Sequence, residues 1–354
     1  MERILDKGRL GAWVAALADW TVLAPAMQDG LWAYRPVAGG EASLTLGHPN
    51  TVQPPKGQSF PQREVFFTFD ETPDGQPRLT PLVPRPGPRL VFGVRPCDGQ
   101  GLTHLDQVFG EEAPDAYYQA RRGTLAYVGL ACNSPPSRHC FCTSVGGSPF
   151  GEAGLDVLMI DLSDRYLVRA LTPVGETLMT AGQGVLTEAG ADDRAEAQQR
   201  RLAALAHPQR AVAAPQAVPE RLKAGFGSAL WERLAQPCIG CGICTFLCPT
   251  CHCFDINDEV ASQSPVCGSR VRTWDSCQFP DFTMHTSGHN PRADLGARLR
   301  QRVSHKFLYY FENHGVFQCT GCGRCIIACP VGIDIIAVVN QVAAEAAAMP
   351  PADS

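Results

Sequence analysis

QPCIGCGICTFLCPTCHC, residues 236–253, decides how the rest of the chain is read, because four of its cysteines follow the spacing C-x2-C-x2-C-x3-C-P. Residues 318–330, QCTGCGRCIIACP, repeat that spacing. The positions are Cys238, Cys241, Cys244 and Cys248 in the first run and Cys319, Cys322, Cys325 and Cys329 in the second. Three cysteines at steps of three let one turn of chain place thiolates on three corners of a [4Fe-4S] cluster, while a distant cysteine supplies the fourth. In two-cluster proteins that fourth ligand is exchanged between the runs. The expected sets are therefore Cys238, Cys241, Cys244 and Cys329 for one cluster, and Cys319, Cys322, Cys325 and Cys248 for the other. Gly240, Gly242, Gly321 and Gly323 let the backbone approach the cluster, and Ile243, Phe246, Leu247, Ile326 and Ile327 would shield it from water. A pair of zinc ribbons is the competing reading, but zinc uses paired C-x2-C knuckles, and two runs of four ending in Cys-Pro are a narrower pattern.

Composition sets the frame. A chain of 354 residues, 45% of them hydrophobic, divides more naturally into two domains than one. Its net charge of -5 gives no global reason to expect nucleic acid or an anionic membrane as partner. Sixteen cysteines in a chain too large to need disulfide staples imply metal ligation or an oxidising compartment. The N-terminal run MERILDKGRLGAWVAALADW carries Asp19 and no small-residue cleavage site, so it does not read as a secretory signal. No stretch approaches the roughly 18 uncharged apolar residues of a membrane helix. The expected location is the cytoplasm.

Along the chain, Trp13, Leu17, Trp20 and Leu23 fall at helical steps and predict a helix over 11–24. A loop-rich region, 37–62, follows. Strand-type runs lie at 64–69, 89–94, 124–130, 155–161 and 165–171, with helical patterns at 101–109 and 189–206. The Pro/Ala-rich stretch PQRAVAAPQAVP, 208–219, has the composition of a connector. Helices are expected at 220–234 and 333–348. The predicted class is α+β: a mixed α/β domain over 1–210, a linker at 211–219, and a helical ferredoxin-type domain over 220–354 with two [4Fe-4S] motifs and a long insertion, 249–318.

Two further groups of cysteines stand outside the repeat. Cys97 and Cys132 each follow a predicted strand, and Cys140 and Cys142 share a loop; ligands gather where strands end in α/β sheets. A third [4Fe-4S] cluster, a zinc site and unligated thiols all fit this set. In the insertion, Cys251, Cys253, Cys267 and Cys277 either hold a fourth cluster or are buried small hydrophobes. At 293–307 an apolar stripe, Leu295, Leu299, Val303 and Phe307, runs beside a basic one, Arg298, Arg302 and Lys306. The basic stripe reads first as a solvated face; a docking surface and a positive field acting on the clusters are the alternatives. Asp98, Arg95, Arg121 and Arg122 read as ordinary surface or salt-bridge residues. There is no G-x-G-x-x-G between strand and helix and no phosphate loop, so flavin and nicotinamide belong on another chain.

The motifs RPCD (95–98), CFCTS (140–144), CPTCHCFD (248–255), WDSC (274–277), GHNPR (288–292), RQRVSHKF (300–307) and CTGCGRCIIACPVGIDI together resemble the iron–sulfur beta subunit of cytoplasmic NAD(P)-linked [NiFe] hydrogenases, the sulfhydrogenases. The same pattern is similar to the iron–sulfur relay subunit of anaerobic sulfite reductase. The resemblance covers nearly the whole chain, although Cys267 lies in none of these motifs. It implies a protein that relays electrons between a flavin subunit handling NAD(P)H and a partner with the catalytic metal, either the hydrogenase small and large subunits or a sirohaem subunit. No substrate chemistry is expected on this chain, and neither nucleic acid nor membrane is expected as partner. Two other classes compete: an enzyme with a substrate-binding cluster in the 251–277 part of the insertion, and a redox sensor, which the lack of a helix-turn-helix signal disfavours.

Overall fold

The computed structural model describes residues 1–37, 46, 47 and 49–348. Much of the predicted 37–62 loop, at 38–45 and 48, and the end of the 220–354 segment, at 349–354, lie outside the described residues. Twelve strands are present among the described residues: β1 (Glu2–Asp6), β2 (Thr21–Gln28), β3 (Leu31–Pro36), β4 (Arg63–Glu71), β5 (Pro77–Pro81), β6 (Arg89–Val94), β7 (Leu125–Leu130), β8 (Val157–Asp161), β9 (Arg165–Ala170), β10 (Thr187–Glu188), β11 (Phe254–Gln263) and β12 (Val266–Trp274).

Eight of them form one sheet in the order β10-β1-β9-β8-β7-β6-β2-β3. Its centre, β2-β6-β7-β8, is parallel, and the flanking pairs are antiparallel. Parallel strands are covered on both faces, which is why RLVFGV, LAYVGL and VLMID read as nearly unbroken apolar runs. Alternate residues serve the two faces. Leu90, Phe92, Ala126, Val128, Val157 and Met159 pack on one side with Trp13, Leu178 and Met179 from the helices Leu10–Ala15 and Pro173–Ala181. Val91, Val94, Leu125, Tyr127, Leu158 and Ile160 pack on the other, with Leu102 of Pro96–Gly110 and Ala197 and Ala204 of Ala191–Ala206. The predicted helix over 11–24 ends at Ala15. Thr21, Val22 and Leu23 instead pair with Arg89, Leu90 and Val91, because a parallel neighbour outweighs the helical spacing of Trp20 and Leu23.

A second, antiparallel sheet, β11-β12-β4-β5, draws two strands from before the 211–219 connector and two from the insertion. The insertion carried no strand expectation, since β11 is exposed along almost its whole length and shows no clear alternation of burial. What fastens β12 to β4 is buried charge. The Arg272 guanidinium, 1% exposed, pairs with the buried Glu64 carboxylate at 2.5 Å and with Asp115, beneath the rings of Phe60, Phe66, Phe109 and Phe254. The two halves of the chain are therefore held by a shared sheet as well as by the connector.

The remaining core is helical. Trp231, Leu222, Val303, Phe307, Val339 and Val342 meet there from Val218–Ala224, Leu230–Ala235, Leu295–Ser304, the following π-helical turn His305–Tyr309, and Ile335–Ala348. The predicted helix at 220–234 is broken at 225–229, where the Gly225 carbonyl accepts the Trp231 indole N–H at 2.9 Å. Among the described residues no helix is long and apolar enough to cross a membrane.

Candidate metal centre

The sequence repeat is also a backbone repeat. Gly240 and Gly321 both have φ of 67°, and Gly242 and Gly323 have φ of 72° and 76°, a region that favours glycine. Each second glycine opens a one-turn helix, Ile243–Phe246 or Arg324–Ile327. Gly321 is also a close approach: a Cβ there would stand 2.5 Å from the Cys142 backbone nitrogen. The Phe141 N–H donates to the Gly321 carbonyl at 2.9 Å, so the N-terminal CFC loop lies directly on the second cysteine run.

Cys238, Cys241, Cys244 and Cys329 surround one cavity of ≈ 560 Å³, its open mouth included, together with Ile239, Leu299, Arg302 and Cys325. Burial pushes the Cys244 thiol up to about 12, against the pull of the Arg302 guanidinium. Cys319, Cys322, Cys325 and Cys248 form a second neighbourhood, in which burial and then the other thiols of the set raise Cys319, and burial raises Cys325 to about 11. The structure thus brings together both exchanged sets. It also brings together the N-terminal four: Cys132 is influenced by Cys140 and Cys142, with the Arg95 guanidinium 3.9 Å from its sulfur, and Cys97, beside the Asp98 that pairs with Arg324, is influenced by Cys132 and Cys322.

The middle four are not all brought together. Cys253 and Cys277 act on each other, raising the first thiol and lowering the second, and Cys251 and Cys248, joined by a Cys251 N–H to Cys248 carbonyl bond of 3.4 Å, do the same, raising Cys251 and lowering Cys248. Cys267 sits near the turn of the β11–β12 hairpin, opposite Asp70 of β4 and seven residues from Trp274. At about 3.3 Å per residue that places it roughly 23 Å along the strand from Trp274, which pairs with Phe254 next to Cys253. The expectation that Cys267 joins a fourth set is corrected accordingly: the extended hairpin carries it away. Among the described residues no three His, Cys, Asp or Glu side chains converge on a point as the ligands of a single ion do.

The basic stripe is not solvated. Arg298, Arg302 and Lys306 are 7%, 5% and 2% exposed, and the π-helical turn carries Lys306 inward. Lys306 Nζ donates to Thr250 Oγ1 at 2.8 Å and Gln318 Oε1 at 2.9 Å, and Arg302 Nη1 lies 3.6 Å from Cys251 Sγ. A third cation, Lys56, reaches the same region from the N-terminal half and is 2% exposed. Burial lowers it to about 8, partly offset by Cys251, Cys248 and Cys253. None of Arg302, Lys306 and Lys56 has a carboxylate within 4 Å among the described residues, although burying an uncompensated charge costs several kcal/mol. Their counter-charge is the surrounding sulfur. Gln318 Nε2 and Thr320 Oγ1, which flank Cys319, are likewise buried without a partner, and are suited to donate to cluster sulfurs. Donor set, cation wall and orphaned donors all fit an anionic iron–sulfur cluster. Sequence reasoning missed Lys56, because PPKGQ carries no periodic signal; of the two readings of Asp98, surface or salt bridge, the structure shows the salt bridge, fully buried and paired with Arg324.

Comparison with known proteins agrees. Residues 237–333 match the 4Fe-4S dicluster domain family. The chain is 31% identical over 302 residues, 84% of its own length and 85% of the relative's, to sulfhydrogenase 2 subunit beta of Pyrococcus furiosus. No solved structure matches it. With two cysteine runs folded for paired [4Fe-4S] clusters and this likeness spanning most of both chains, the protein belongs to the sulfhydrogenase beta-subunit family and is an iron–sulfur electron-transfer subunit.

Proposed function

We propose that this chain relays electrons in the cytoplasm between a flavin subunit that handles NAD(P)H and the small and large catalytic subunits of a hydrogenase complex. In this reading Cys238, Cys241, Cys244 and Cys329 hold one [4Fe-4S] cluster, Cys319, Cys322, Cys325 and Cys248 a second, and Cys97, Cys132, Cys140 and Cys142 a third. Such clusters supply reversible one-electron uptake, and the protein supplies spacing, burial and charge. The observation that carries the reading is the contiguity of the three sets. Cys325 lines the cavity of the first, and the third joins the second through the Asp98–Arg324 ion pair, beside Cys97, and the Phe141 N–H to Gly321 carbonyl bond of 2.9 Å, beside Cys140 and Cys142. One end of this line is open: Cys241 is exposed, beside the exposed apolar side chains of Ile239 and Val331. An apolar rim at an exposed thiol suits a partner protein covering a redox terminus.

The test is anaerobic purification of a tagged chain from its native cells. The expected result is co-purification of hydrogenase subunits together with a flavin subunit, and reduction of the chain's clusters by hydrogen. Recovery of a sirohaem subunit instead, with no response to hydrogen, would assign the chain to a sulfite reductase. A second expectation concerns potential. Lys306 acts on Cys248, Cys251 and Cys319, and removing its charge as Lys306→Met disfavours the more negative, reduced cluster. A charge about 8 Å away at an effective dielectric of about 20 contributes about 2 kcal/mol, so the potential should fall by roughly 50–100 mV in an EPR-monitored redox titration. An unchanged or higher potential would show that Lys306 is not a counter-charge of the cluster.

A further inference from the structure

We infer that Cys251, Cys253 and Cys277 form a separate iron–sulfur site with three protein thiolates, whose fourth corner is left to an exchangeable small donor such as water or a free thiol. The inference rests on the iron–sulfur reading of the chain but not on the relay or its partners. Its geometry is built from two segments. The Asp275 N–H donates to the Cys253 carbonyl at 3.0 Å, which holds the CHC turn against WDSC and puts Cys253 and Cys277 where the two segments meet. Cys251 and Cys277 are buried, at 7% and 8% exposed. Two side-chain donors face these sulfurs: Arg302 Nη1 lies 3.6 Å from Cys251 Sγ, and Gln278 Nε2 lies 3.5 Å from Cys277 Sγ.

The independent observation is Lys56. Its ammonium donates to the carbonyls of Cys251 at 2.8 Å and Thr245 at 3.4 Å, lies 4.1 Å from the Trp274 ring centroid, and has no carboxylate within 4 Å among the described residues. The sulfurs whose charge acts on it most are those of Cys251, Cys248 and Cys253. A buried cation whose hydrogen bond goes to the Cys251 carbonyl calls for negative charge on the sulfurs of the CHC turn as well as on Cys248. The count of thiolates follows from the fold. Cys267 is carried off along the hairpin, and Cys248, although it acts on Cys251, also acts on Cys319, Cys322 and Cys325 as the exchanged ligand of that set. Three thiols remain where a [4Fe-4S] cluster ordinarily has four.

A cubane with one iron not held by the protein loses that iron on oxidation: [4Fe-4S]2+ gives [3Fe-4S]+, one Fe2+ and one electron, which ferricyanide accepts. The experiment is a ferricyanide titration of the full chain, purified anaerobically with its clusters and followed by EPR and by released ferrous iron. The expected result is a three-iron signal stoichiometric with the chain, reversed by ferrous iron and reductant, abolished in Cys253→Ala and in Cys277→Ala, and retained in Cys267→Ala. In the first two variants iron content should fall by about four per chain while the dicluster spectrum persists. A wild-type chain that carries its clusters but yields no three-iron signal overturns the inference, and so does a signal that survives in both Cys253→Ala and Cys277→Ala. Should those variants fail to fold, the order of conversion in the wild-type titration decides: the three-thiolate cubane loses iron before the four-thiolate clusters, and a three-iron signal that grows only as the dicluster spectrum is lost overturns the inference. A wild-type chain with no clusters at all would instead sink the iron–sulfur reading itself.

Discussion

Cys329→Ser should abolish or convert the cluster held by Cys238, Cys241 and Cys244, its distant neighbours in sequence, and leave the cluster of its own run intact. Cys329 lines the same cavity as those three thiols, with its sulfur fixed by the Ile333 N–H at 3.2 Å. Serine is a poor substitute for a thiolate on iron, so iron content should fall by up to about four per chain. The complementary change, Cys248→Ser, should strike the Cys319, Cys322 and Cys325 cluster. EPR of the two variants, each compared with a variant lacking one run's first three cysteines, identifies which spectrum disappears. If Cys329→Ser removed only the signal of the 319–325 run, the exchange of ligands between runs would be wrong. The exchange has a structural meaning as well: it makes the two runs one folding unit across residues 249–318, so that neither cluster forms fully without the other run in place.

Asp98→Asn should be strongly destabilising. Asp98 begins the helix after β6 and meets the Arg324 guanidinium through two bonds, 2.5 and 2.8 Å, with side-chain exposures of 0% and 3%. Arg324 also donates to the Thr51 carbonyl at 2.7 Å. Removing one partner of a buried, bidentate pair leaves the other charge uncompensated and costs about 3–5 kcal/mol. The cost should be smaller when clusters are bound, because Cys322 and Cys97 also act on Arg324. Thermal unfolding under anaerobic conditions should show a lowered midpoint and earlier release of iron. Coincident melting of Asp98→Asn and wild type would mean that the pair does not clamp the N-terminal sheet to the second cysteine run. The same position bears on function, since Arg324 is acted on by thiols of both the second and the third sets.

Local patterns survived folding where the determinant was local. The C-x2-C-x2-C-x3-C-P runs needed only their own spacing and glycines, and the structure repeats their positive φ values almost degree for degree. The buried strands at 89–94, 124–130, 155–161 and 165–171 were visible because parallel and central strands are apolar on both faces. β11, nearly all exposed, offered no such contrast, and β2 was masked by helical spacing carried over from Trp13 and Leu17. The basic stripe of Leu295–Ser304 was misread for a related reason: periodicity tells which residues share a face but not what that face meets.

The sequence by itself determined the α+β class and the two cluster-type cysteine runs, because thiol spacing and strand burial are properties of short segments. Only the tertiary structure decided the rest. It placed Lys56 beside Cys251, turned Arg302 and Lys306 inward, brought Cys97 under the influence of Cys322, and sent Cys267 away along a hairpin. Those outcomes depend on which distant segments must share a buried sheet and where an unpaired charge can find its counter-charge, and no window of neighbouring residues contains either fact.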